Sequence, residues 1–147
     1  MSDAEDLEFE LITSVKQLAP APELRHVEVI IRDWKTATSK KAAKFLVWEL
    51  TAAGYAQFQE DGRTYKNGVV EKYDVKFEDL RLLAHTLCDP HGNRLWGTVE
   101  PAIAQLGTLG RANLTLLLNA AFEVNSVKQE DSEGNSERTP SDSSPTT

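Results

Sequence analysis

The chain has 147 residues, 40% of them hydrophobic, and carries a formal net charge of -7. That is enough apolar material for one domain with a modest core. The acidic balance argues against non-specific nucleic-acid binding, which needs Lys and Arg clustered against phosphates, and no apolar run approaches the ~20 residues of a membrane span. With Cys88 as the single cysteine, no intramolecular disulfide forms, which fits a reducing compartment. The acidic stretch from Met1 to Glu10 lacks the pattern of a signal peptide, so the expectation is a soluble, cytoplasmic protein.

In chain order, residues 1–22 read as a weakly ordered arm. Phe9, Leu11, Ile12, Val15 and Leu18 fit either a short strand or a helical turn, and Pro20 and Pro22 break any regular element there. A single domain is expected over residues 23–127. His26 to Trp34 alternates as a strand, with Ile30 as an imperfect outward position. The Lys35–Lys41 run is a polar loop, and its cluster with Lys44 reads as solvated. Lys44 to Leu50 is a second strand, antiparallel to the first because the connection is too short for a crossover. Thr51 suits an N-cap for a short helix bearing Tyr55 and Phe58, stopped by Asp61 and Gly62. Asn67-Gly68 between two β-prone pairs signals a type I′ hairpin or an irregular loop.

The central stretch is Lys76 to Trp96. Phe77, Leu80, Leu83, Ala84 and Leu87 share one helical face, with Asp74 as the expected N-cap and Pro90 as the stop. A turn over Asp89 to Asn93 then leads into Leu95 and Trp96. Thr98 caps the next short helix, which Gly107 ends; Gly110 and Asn113 punctuate the next joint. Leu114, Leu117, Leu118, Ala121 and Phe122 give the clearest helical period in the chain. Residues 128–147 contain no aromatic and no aliphatic residue and read as a disordered tail. The expected class is α+β, with short antiparallel strands in the N-terminal half and helices in the C-terminal half.

Two of the three His and the only Cys fall in the central stretch. His85, Cys88 and His91 have the spacing of a three-ligand set, but structural zinc takes four ligands, usually in paired clusters. A Cys88–His85 nucleophile would need an orienting partner and an oxyanion hole. Packing roles are the better reading of all three, so no catalytic residue, metal or cofactor is expected. Trp48, Trp96, Leu114, Leu117, Leu118 and Phe122 are the candidate protein-interaction residues, as the heavy hydrophobes and the apolar face of the last helix.

The run from Glu78 to Trp96 resembles a segment of the tail assembly chaperones of long-tailed bacteriophages and prophages, of the type xLLAxTLxDxxGNxLF. Leu82-Leu83-Ala84, Thr86-Leu87, Asp89, Gly92-Asn93 and Leu95 match it, and Trp96 replaces the commoner Phe. Upstream, Glu49-Leu50-Thr51-Ala52 is similar to the family's VxELTAxE joint, with Gly54 and Tyr55 as a departure. Downstream, a Leu-rich helix leads into an acidic tail holding Gly134-Asn135-Ser136. The resemblance covers roughly residues 23–138. It implies a non-enzymatic chaperone of the bacterial host cytoplasm that binds the tape measure protein, helps recruit tail tube protein and is absent from the mature tail. Self-association is among the expected contacts, and nucleic acid and membrane are not. A longer frameshifted form belongs to the same expectation. The alternative is a structural head–tail connector or tail-completion protein.

Overall fold

The computed structural model describes residues 8–126. The expected tail, residues 128–147, and the first seven residues of the arm lie outside them. Up to Arg25 the chain is exposed, and its one regular element is a 3-10 turn at Val15–Gln17. Ser14 caps that turn through a reciprocal box with Gln17.

Strand β1 (His26–Lys35) and strand β2 (Ala42–Trp48) form an antiparallel pair in the register His26 opposite Trp48 and Ile31 opposite Ala43. Alternation sends Val27, Val29, Ile31, Phe45 and Val47 to the helical side. Helix α1 (Ala52–Glu60) is capped as expected, its Gly54 amide donating to Thr51 Oγ1 at 2.9 Å. Strands β3 (Arg63–Lys66) and β4 (Val69–Tyr73) make a separate hairpin. Its turn places Asn67 at φ 54° and Gly68 at φ 80°, the positive pair a type I′ turn requires.

Helix α2 (Glu78–Thr86) differs from its expected bounds at both ends. Asp74 is not its N-cap; Phe77 holds that position without a side-chain bond. Asp74 instead accepts the Lys76 amide at 3.0 Å and pairs with Arg81, a local turn that competes with capping. The helix also ends at Thr86, a full turn short of Pro90. Leu87 and Cys88 extend into strand β5 (Leu87–Cys88), which pairs with Val47 and Leu46 of β2. The sheet order is therefore β1-β2-β5. Here a tertiary pairing overrides helical spacing, because the free side of β2 satisfies these backbone groups.

Asp89 then organises the turn, accepting the amides of His91 at 2.8 Å and Asn93 at 3.0 Å, while Gly92 takes φ 84°. Helix α3 (Val99–Leu106) and helix α4 (Arg111–Asn125) complete the domain. Asn113, expected in the joint, lies in the first turn of α4 and donates to Asp33 of β1 at 3.1 Å.

Helices α2 and α4 cover one face of the sheet, and α3 packs against α2. The core joins Ile31, Val47 and Leu87 of the sheet to Leu83 and Ala84 of α2, Ala102 and Leu106 of α3, and Leu117, Ala121 and Val124 of α4. The architecture is α+β, as the pattern predicts. Among the described residues no helix is long and apolar enough to cross a membrane.

Candidate functional site

Helix α2 buries two kinds of side chain. Its polar positions Arg81 and His85 are nearly inaccessible, at 2% and 5% exposure. His85 Nε2 lies 2.7 Å from Asp61 Oδ2, and Nδ1 lies 3.2 Å from Arg94 Nη1. A guanidinium only donates, so Nδ1 must accept, and the single ring proton sits on Nε2 and points at Asp61. Burial holds the His85 pKa below its usual 6.5, opposed by the Asp61 hydrogen bond and helped by the charge of Arg94. With both nitrogens occupied, this imidazole ties the end of α1 to the turn after β5 and offers no free basic nitrogen.

Cys88 does not complete a catalytic pair with it. Its thiol hydrogen-bonds the His85 carbonyl at 3.8 Å, and burial, reinforced by Asp89, pushes its pKa up to about 11. It is a thiol at neutral pH, the opposite of an activated thiolate. His91 sits on the exposed Asp89 turn. His85, Cys88 and His91 are thus not brought together, and among the described residues no group of three or more His, Cys, Asp or Glu is placed to hold a metal.

Arg81 lies between two aromatic rings, 5.7 Å from the Phe58 centroid and 5.2 Å from that of Tyr73, with Asp74 at 3.4 Å. Gly62 makes room for it: a Cβ there would meet Arg81 Nη2 at 2.3 Å. Nothing in the pattern around Arg81 marks it as buried, because its partners come from α1, β4 and the loop between β4 and α2.

The open apolar feature lies beside this cluster. Leu50, Tyr55 and Phe58, Leu82 of α2 and Phe122 of α4 line a groove of about 330 Å³. Tyr55 and Phe122 are 50% and 53% exposed, and the Tyr55 and Phe58 rings pack 5.5 Å apart. Glu78, Asp79 and Asn125 supply polar groups to the same lining.

The six candidate interaction residues divide among several places. Leu117 and Leu118 are buried in the core, so their side chains form no part of an exposed face, and Leu114 is half-buried against it. The buried stripe of α4 continues through Val124, turning Phe122 out into the groove. Trp48 lines a different cavity, of about 290 Å³, together with His85, Cys88 and Arg94. Its ring stacks on His26 at 4.4 Å, and its buried Nε1 has no partner among the described residues. Trp96 is half-buried and donates to Gln105 Oε1 of α3 at 3.2 Å. Tyr55 and Leu82 line the groove, yet the sequence pattern does not single them out for interaction. Their signal is weak, since one lies on a glycine-containing helix and the other flanks the strongest apolar stripe. No family model matches the chain, and neither a curated protein nor a solved structure matches it.

Proposed function

We propose that this chain is a tail assembly chaperone of a long-tailed phage or prophage, working in the bacterial cytoplasm. In this reading it binds the tape measure protein, helps recruit tail tube subunits, and leaves before the tail is complete. One observation carries it. Helix α2, where the family resemblance is densest, presents Leu82 to the open apolar groove and places Glu78 and Asp79 on its lining. A groove with aromatic walls and carboxylates suits the apolar face of an amphipathic helix with basic flanks. A long, helix-rich partner offers many such faces. The His85 and Cys88 chemistry described above supports a binding role, since one ring is fully engaged and the thiol is protonated.

The test is co-expression with the tape measure protein of the same gene cluster. The two proteins should co-purify, and the partner should stay soluble. Tyr55→Asp with Phe122→Asp, both at half-exposed positions, should abolish co-purification while leaving the fold intact. Failure to co-purify, combined with recovery of this chain from finished particles, would overturn the reading in favour of a structural head–tail connector or tail-completion subunit.

A further inference from the structure

We propose that two copies of this chain join along β1 into one continuous antiparallel sheet. The two-fold axis falls at Ile30, and Glu28 of each copy faces Arg32 of the other. This interface is separate from the groove and does not depend on the chaperone reading.

The sheet has two unlike edges. On one side β5 is only two residues long and is closed by a bridge between Cys88 and Arg94. On the other, β1 runs ten residues and, among the described residues, pairs only with β2. A long unpaired edge is a template for another strand unless something blunts it. The bulge in β1 begins after Ile31, so the edge from His26 to Ile31 is regular.

The hydrogen-bond parity of that edge is set by its start. The Glu49 amide donates to the Arg25 carbonyl at 2.8 Å, and the Arg25 amide donates to Glu49 Oε1 at 3.0 Å. Arg25 therefore turns its backbone groups toward β2, and alternation turns those of Val27, Val29 and Ile31 the same way. The N–H and C=O groups of Glu28 and Ile30 point to the free side; Arg32 follows at the start of the bulge, with its side chain exposed.

In an antiparallel pair, outward-facing residues must lie opposite outward-facing residues, so a two-fold axis falls on a residue and not between two. The charges choose which one. An axis at Val29 sets Glu28 against Ile30, and an axis at Glu28 sets two carboxylates against each other. An axis at Ile30 sets Glu28 against Arg32 twice and Ile30 against its own copy. Ile30 is 45% exposed on the sheet face away from the helices, where its own copy across the axis would cover it. Arg32 makes no ion pair among the described residues. Among the described residues Glu28 makes one ion pair, with Lys44 of its own β2, at 3.7 Å between exposed side chains.

Sedimentation equilibrium of the full chain, from about 5 to 200 µM to cover weak interfaces, should show a monomer–dimer equilibrium. Arg32→Glu should weaken the dimer by about tenfold, because the reversal acts at both symmetric pairs. Adding Glu28→Arg should restore affinity to within about threefold of the wild type. Both substitutions are at exposed side chains, and thermal melts would verify that folding is retained. A monomer across the whole range overturns the proposal. So does a dimer indifferent to Arg32→Glu, or one that Glu28→Arg fails to restore.

Discussion

The two buried sides of α2 are stabilised by different physics. One side sets Leu83 and Ala84 against Val47, Ala102 and Ala121, a contact among aliphatic groups that asks only for volume and exclusion of water. The other sets Arg81 and His85 against Asp61, Asp74, Phe58 and Tyr73, where each contact depends on direction and protonation. The first side holds no group that titrates. The second adds specificity, fixing where α1 and the β3–β4 hairpin sit relative to the sheet.

Breaking the aliphatic side should have the largest effect. Leu83→Asp puts an unpaired carboxylate at a position with 0% exposure and should cost on the order of 5 kcal/mol in urea unfolding, or prevent folding altogether. Next comes the seat of Arg81. Gly62→Ala forces the guanidinium and the Tyr73 ring to move, since the new Cβ would lie 2.9 Å from Tyr73 Cε1, at a cost of about 2–3 kcal/mol. Gly68→Ala is the control: nothing lies within 4 Å of it, yet its φ is +80°, so only backbone strain of about 1 kcal/mol remains. The ratio of these two costs separates crowding from conformation.

The polar side should also respond to pH. His85 has a folded pKa below its usual 6.5. Below that value the unfolded chain binds the proton more readily, so this contribution is complete above about pH 6.5 and is lost as pH falls toward the folded pKa. His85→Gln should cost about 1–2 kcal/mol at pH 7 through its lost hydrogen bonds. It should also flatten the pH dependence of stability between 7 and 5 relative to the wild type. An unchanged slope would mean that other groups set it. The smallest effect on stability should come from Phe122→Ser, about 0.5 kcal/mol by thermal melt, because the ring is 53% exposed. Under the proposed function, that variant should nonetheless weaken binding of the tape measure protein in the co-expression assay.

The sequence is readable where local and tertiary preferences agree. The alternation of β1, the Thr51 cap, the Asn67-Gly68 turn and the period of α4 each depend on neighbours within a few residues. It misleads where a distant strand decides. Leu87 fits the helical stripe of α2 by spacing, yet the free side of β2 draws it and Cys88 into the sheet. Leu117 and Leu118 mislead in another way. They share the apolar period of Phe122, but they join Val124 in the buried stripe, and of the three only Phe122 is left to the groove. The polar network is the least legible part, because Asp61, Arg81, His85 and Arg94 come together only after α1, α2 and the Asp89 turn have packed. None of those pairings has a sequence spacing that marks it.

The guanidinium of Arg25 donates to the carbonyls of Val124, at 2.8 Å, and Ser126, at 3.3 Å, while Asn125 accepts the Leu50 amide at 2.8 Å. The chain thus enters its first strand and leaves its last helix through one doorway. Arg25 therefore couples the two ends: loosening the start of β1 also releases the last carbonyls of α4.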